Sequence, residues 1–137
     1  MFSAFIEKDT LHDAFMTWTT FFQLEYGKLD IINEKRSFVK ISWDALKDVA
    51  NIGWDRIDAT TAEEAYPVTD RPRNENDLLS VKYHIDIIDG KNKNRISPPI
   101  IYKVNGKCFF MDGMHRLVAL SIRKYSDLFF CLIDWDK

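Results

Sequence analysis

The chain contains 137 residues, of which 46% are hydrophobic and 29% are charged, and its formal net charge is −2. This length and composition are typical of one globular domain that buries its own hydrophobic core. They exclude a membrane-spanning segment, because no apolar run approaches the roughly 20 residues that cross a bilayer. The first residues also lack the basic and long apolar regions of a signal peptide, so we expect a cytoplasmic protein with no membrane contact.

The first predicted element is a helix over residues 10–27, which Asp9 or Thr10 can cap and Gly27 can end. Its apolar residues recur at helical intervals and are expected to face the core. They are Leu11, Ala14, Phe15, Trp18, Phe21, Phe22 and Tyr26.

A short strand is predicted over residues 37–41, and Ser42 can then cap a short helix that reaches Val49. Residues 51–76 contain Gly, Pro and many small polar residues, so we predict a largely irregular segment. Within it, residues 62–65 are expected to form a helical turn.

The next predicted helix covers residues 75–89 and ends at Gly90. Its apolar residues fall on one face at helical spacing. These residues are Leu78, Val81, Ile85 and Ile88.

A hairpin is predicted around Asn105-Gly106, because both central residues of a type I′ turn need a positive φ. Its strands are expected over residues 100–104 and 107–111. A helix over residues 117–122 and a last strand over 128–133 complete the chain. This order of elements predicts an α+β fold.

The two cysteines, Cys108 and Cys131, lie in the apolar strand-like runs. We therefore expect two reduced, buried thiols. Neither Cys-x-x-Cys nor His-x-x-x-His spacing occurs, so the sequence does not indicate a zinc site.

The motif Asp112-Gly113-Met114-His115-Arg116 lies where the hairpin gives way to a helix. A glycine, a histidine and an arginine at a helix N-terminus are typical of a phosphate-binding site. The first-turn N–H groups and the helix dipole attract an anion there, and arginine adds a planar set of donors.

The motif also lies in the basic part of the chain. Residues 91–124 carry eight basic residues and one acidic residue, a net charge of +7, whereas the remaining residues carry −9. This asymmetry favours an anionic ligand such as a nucleotide or a nucleic-acid backbone. The acidic remainder argues against a general DNA-binding protein.

From about residue 38 to residue 134, the chain resembles the ParB/sulfiredoxin superfamily. The resemblance implies a small mixed sheet with flanking helices over residues 37–137. The predicted N-terminal helix lies outside the resemblance, and we expect residues 1–36 to pack on this domain as a helical extension. It rests on Val39-Lys40-Ile41-Ser42, Arg71-Pro72-Arg73 before a helix, Pro98-Pro99-Ile100 at a strand start, the hairpin, and Asp112-Gly113-Met114-His115-Arg116-Leu117 with Ala119.

In sulfiredoxins the corresponding motif is Gly-Cys-His-Arg, in which Gly, His and Arg hold nucleotide phosphates and Cys carries out the redox chemistry. The resemblance therefore implies phosphate contacts for Gly113, His115 and Arg116. Met114 replaces the cysteine, and a thioether cannot act as a thiolate nucleophile, so we do not expect sulfinic-acid reduction.

Sulfiredoxins also use a serine on the preceding helix, and Ser80 stands at that position. His84 and Asp77 stand where a threonine and a lysine are usual, which changes the expected nucleotide contacts. ParB-type proteins bind CTP at the equivalent motif. Since the given chain ends at Lys137, we expect it not to be a full partition protein with further domains.

A related free-serine-kinase branch carries Asp-Gly-His-His-Arg, and all of this motif except Met114 matches it. Asp112 can cap the helix, hold a magnesium ion against the phosphates, or act as a general base. His115 is either a structural histidine or a phosphate contact that also moves a proton. The side chains of Arg71 and Arg73 either extend over the site or are ordinary charged side chains of a loop.

We therefore expect a nucleotide-binding domain for ATP, ADP or CTP with magnesium, and a small phosphotransferase or nucleotide hydrolase if it is an enzyme. Asp112 and His115 are the expected catalytic residues. One alternative is a non-catalytic regulatory protein of a phage or mobile element that binds a host protein; a less favoured one is a DNA-binding or nuclease-type ParB-like protein. The expected phosphate-binding residues are Ser80, His84, Gly113, Met114, His115, Arg116, Arg71 and Arg73.

Overall fold

The computed structural model of the chain describes residues 36–68 and 73–136. The predicted helix over residues 10–27 lies outside the described residues, as does all of the expected helical extension of residues 1–36 except Arg36, which begins β1. The elements of the first part are β1 (Arg36–Lys40), a 3₁₀ helix (Ala45–Asp48), α1 (Trp54–Ile57) and α2 (Ala62–Ala65). The second part contains α3 (Asn74–Ile88), β2 (Ile100–Val104), β3 (Lys107–Asp112), α4 (Met114–Ile122) and β4 (Phe129–Asp134).

The four described strands form one mixed sheet in the order β1-β4-β2-β3. β1 pairs with β4 and β2 pairs with β3 in antiparallel fashion, whereas β2 and β4 are parallel. The predicted hairpin is confirmed, and both turn residues have positive φ, 52° for Asn105 and 74° for Gly106. The described part is therefore a mixed α+β structure, as the order of predicted elements indicated.

The main hydrophobic core lies between one face of the sheet and the pair of helices α3 and α4. Helix α4 contributes four consecutive residues, Leu117 to Leu120, that are completely buried. On β4, Phe130 belongs to this core, and its neighbours Cys131 and Ile133 belong to a second apolar cluster with Ile100. The alternation of side chains along a strand places these two sets on opposite faces of the sheet.

Several boundaries differ from those predicted. The segment over residues 51–76 was predicted to be irregular apart from one turn, and it contains α1 in addition to α2. The helix after Ser42 is only a 3₁₀ turn, in which the Ser42 hydroxyl accepts a hydrogen bond from the Ala45 amide at 3.1 Å. The motif helix α4 begins at Met114, three residues earlier than predicted. Within the described residues, no helix is long and apolar enough to cross a membrane.

Candidate functional site

The turn from β3 into α4 is built around Gly113, which has a φ of 107°. A Cβ atom added here would lie 2.8 Å from Cβ of Pro99 and 3.2 Å from Cζ of Arg116. Both the backbone conformation and the close approach of Pro99 therefore require glycine. Protein atoms fill this space, which favours a structural reason for the glycine over the approach of a ligand.

The N-terminus of α4 is open. No side chain caps it, and the first hydrogen bond that closes the helix runs from the Leu117 amide to the Gly113 carbonyl at 3.0 Å. The amides of residues 114–116 precede that bond and are the donors that a helix leaves unsatisfied at its start. This end of α4 therefore offers N–H groups and the positive end of the helix dipole to an anion.

Two cavities adjoin this turn, and residues 112–115 line both of them. The first, which we call the loop-side cavity, has a volume of about 380 Å³ and is also lined by Arg56, Tyr66, Arg73 and Asp77. The second, the α3-side cavity, has a volume of about 390 Å³ and is also lined by Ser80, His84 and Arg116. The structure thus brings together all the expected site residues that it describes.

His115 is held between two side chains of α3. Its Nε2 atom lies 2.9 Å from Oδ1 of Asp77, and its Nδ1 atom lies 3.1 Å from Oγ of Ser80. A carboxylate accepts, so Nε2 donates to Asp77, and Nδ1 is within hydrogen-bond distance of the Ser80 hydroxyl. The result is a continuous Asp77–His115–Ser80 chain of hydrogen bonds between α3 and α4.

Aromatic contacts hold the His115 ring from the loop side. The buried Tyr66 ring meets it edge-on, with centroids 5.3 Å apart. Arg56 stacks over Tyr66, 4.4 Å from its centroid, and donates a hydrogen bond to the Ala65 carbonyl. The contacts from both sides leave the imidazole little freedom to turn.

His84 lies one helical turn beyond Ser80, and its Nδ1 atom donates to the Ser80 carbonyl at 2.7 Å. Burial lowers the pKa of His84, and the nearby Arg116 and His115 lower it further, although the bond to Ser80 acts in the opposite direction. The ring is therefore neutral at pH 7 and has an acceptor nitrogen at Nε2.

Arg116 turns inward. It donates to the carbonyls of Ser97 and Pro98 at 3.0 and 3.3 Å, and to Oδ2 of Asp112 at 3.3 Å. Burial lowers the pKa of this guanidinium, which Asp112 partly offsets. Arg116, which the sequence predicts to bind an anion, pairs with Asp112 and also lines the α3-side cavity.

Arg73 is exposed at the start of α3 and lines the loop-side cavity, with its Nε atom 4.0 Å from Oδ2 of Asp77. Arg71 lies outside the described residues. Of the two arginines whose role the sequence left open, the structure therefore places Arg73 at the site.

Residues 91–124 contribute few basic side chains to the site, although their net charge is +7. Of its eight basic residues, only Arg116 lines either cavity. Arg123, for example, is bound to Asp89 on the surface through two hydrogen bonds of 2.8 and 2.9 Å. The positive charge at the loop-side cavity comes instead from Arg56 and Arg73, which lie outside residues 91–124.

The described residues do not form a metal site of their own, because they include no group of three or more His, Cys, Asp or Glu side chains able to hold an ion. Asp112, the expected magnesium ligand, has one oxygen beside Arg116. Asp77, the other carboxylate that lines the loop-side cavity, is bound to His115.

Three residues of the site were not predicted from the sequence, namely Asp77, Arg56 and Tyr66. One signal was available for Asp77, because residues 77, 80 and 84 recur at helical spacing and so share a face of α3. Arg56 and Tyr66 lie in the segment predicted to be irregular, where no periodicity marks them.

Comparisons of this chain with protein-family models, with curated proteins and with solved structures find no match.

Proposed function

We propose that this chain binds the phosphate groups of a nucleotide at the N-terminus of α4, as the resemblance to the ParB/sulfiredoxin superfamily implies. The observation that carries the proposal is the uncapped first turn of α4 between two cavities lined with basic side chains. Free amides, a helix dipole and nearby arginines are the chemistry that recognises phosphate. The two cavities lie on either side of the same turn and supply room for a ligand larger than phosphate alone.

The side chains at the site also support phosphoryl transfer. Transfer of a phosphoryl group demands positioning, charge stabilisation and a group that accepts the proton of the nucleophile. Arg56 and Arg73 supply positive charge on the loop side, and His115 is an imidazole held in place by Asp77, Ser80 and Tyr66. We therefore infer a small phosphotransferase or nucleotide hydrolase that takes the magnesium complex of ATP, ADP or CTP as its ligand.

The test is isothermal titration calorimetry with the magnesium complexes of ATP, ADP, CTP and GTP. We expect at least one to bind with a Kd below about 1 mM. Arg73→Gln should weaken that binding by about threefold to tenfold, since a partly exposed charge contributes on the order of 1 kcal/mol. Arg95→Gln is the matched control, because Arg95 is exposed and lines neither cavity.

Arg116→Ala is a poor variant for this test, since loss of Arg116 would leave two carbonyls and Asp112 without their partner. Absence of binding by all four nucleotides would overturn the proposal. It would favour the interaction-protein alternative, for which Leu79 and Tyr83, one turn apart on α3 and 58% and 43% exposed, offer an apolar surface.

A further inference from the structure

We propose that Ser80 is a nucleophile that accepts a phosphoryl group from a nucleoside triphosphate, with His115 as its general base and Asp77 as the residue that positions His115. This inference rests on the proposed nucleotide binding and adds the reacting atom to it.

The first support is the direction of the hydrogen bonds. Asp77 accepts from Nε2 of His115 at 2.9 Å, and Nδ1 lies 3.1 Å from the Ser80 hydroxyl, so the ring in its base form presents the lone pair of Nδ1 to that hydroxyl. A serine hydroxyl is a weak nucleophile until an adjacent base takes its proton, and a base that a third group orients is the usual arrangement for this purpose. Asp77, His115 and Ser80 meet that description.

The second support is the surroundings of Ser80. Its side chain is half-buried and lines the α3-side cavity together with the N-terminal turn of α4. A ligand that places a phosphate at the α4 amides therefore brings phosphorus into the same cavity as the hydroxyl. His115 already lies within hydrogen-bond distance of that hydroxyl, so the protein need not rearrange to bring the base and the nucleophile together.

The third support is the burial of Asp77 beside the base that it orients. The Asp77 side chain is only 14% exposed, against 35% for His115. A carboxylate in this position stabilises the imidazolium that forms when His115 takes a proton. The role of Asp77 is to orient and stabilise the ring.

The Ser80 oxygen forms a bond to the γ-phosphorus while the bond from that phosphorus to the bridging oxygen breaks. The nucleoside diphosphate leaves with the electron pair, and the hydroxyl proton passes to Nδ1 of His115. The products are phosphoserine at position 80, the nucleoside diphosphate and a proton that His115 later returns to water.

The main experiment incubates the full chain with magnesium and γ-labelled ATP or CTP and locates the label by mass spectrometry. We expect one phosphoryl group per chain on Ser80, and none in Ser80→Ala. Ser121→Ala is the matched control, because Ser121 hydrogen-bonds within α4 to the Val118 carbonyl and should leave labelling unchanged. Nucleotide binding without labelling of Ser80 overturns this inference and leaves the proposed function standing, whereas absence of binding overturns both.

A fluorophosphonate reagent tests the reactivity of Ser80 independently of nucleotide. We expect it to modify Ser80, and His115→Gln to slow the modification by about 100-fold, the typical contribution of a general base. Equal rates in the two proteins would show that His115 does not activate the hydroxyl. Ser80→Cys covers the case in which loss of the hydroxyl disturbs folding, since its thiol should react with iodoacetamide faster than that of Cys108.

Asp77→Asn separates a positioning role from a structural one. The asparagine amide can donate to Nε2, so the ring proton should move to Nδ1, which can then no longer accept from Ser80. Nitrogen NMR of the His115 ring should report this change of tautomer, together with at least a tenfold loss of reactivity. An unchanged tautomer with an unchanged rate contradicts the proposed role of Asp77.

Discussion

Replacement of Gly113 by alanine tests the central turn of the site. At a φ of 107°, any residue with a Cβ is strained, which costs on the order of 1–2 kcal/mol. The added Cβ would also lie 2.8 and 2.9 Å from Cβ and Cα of Pro99, and overpacking of this kind costs roughly 1–3 kcal/mol more. We therefore expect Gly113→Ala to lower the free energy of unfolding by about 2–5 kcal/mol.

Gly90 provides the matched control for this substitution. It has a φ of 77°, but a Cβ added there would meet nothing within 4 Å. Gly90→Ala should therefore lose only the conformational part, about 1–2 kcal/mol. Urea unfolding of both variants, with comparison of midpoints and m-values, measures the difference. Equal losses in the two variants would refute the argument that contact with Pro99 fixes the turn.

Three further predictions concern residues around the site. Burial lowers the pKa of His84, so its contribution to stability is present above about pH 6.5 and is lost as the pH falls through the lowered pKa. His84→Gln should therefore flatten the fall in the urea midpoint between pH 7.5 and pH 5. An unchanged slope of midpoint against pH would contradict this. Asp112→Asn removes the counter-charge of the buried Arg116 and should cost about 1–3 kcal/mol in the same assay; no loss would show that the carbonyl contacts suffice. Thr61→Ala removes the hydroxyl that accepts from the Glu64 amide at 3.1 Å and should cost about 1 kcal/mol, whereas Thr61→Ser should cost little.

The elements that could be predicted from the sequence are those fixed by local chemistry. Asn105-Gly106 specifies a hairpin because only a few residue types tolerate its backbone angles, and the structure has that hairpin. The parallel pairing of β2 with β4 is different, since it joins strands separated by a hairpin and a helix. No short stretch of sequence encodes that pairing, which depends on how α4 packs against the sheet.

The candidate site shows the same division. The motif correctly predicted a strand-to-helix turn and the placement of Gly113 and His115 at it. Ser80 was expected at the site, but the contacts of Ser80 and Asp77 with His115 could not be predicted, because both residues reach His115 only through the packing of α3 on α4. Of the basic residues in the range 91–124, only Arg116 lines either cavity, since a count of charge along the chain does not distinguish a cavity from a surface.

The partners of His115 offer an alternative to the role that the resemblance implies for it. A histidine that contacts phosphate must present an N–H group, but here Nε2 donates to Asp77 and Nδ1 lies 3.1 Å from Oγ of Ser80. Contact with phosphate would require a protonated ring and a broken bond to Ser80. His115→Gln distinguishes the two roles, because glutamine can still donate a hydrogen bond but cannot take up the proton. If His115 is a general base, the variant should keep its nucleotide affinity and lose the labelling of Ser80. If His115 is a phosphate contact, the nucleotide affinity should fall together with the rate of labelling.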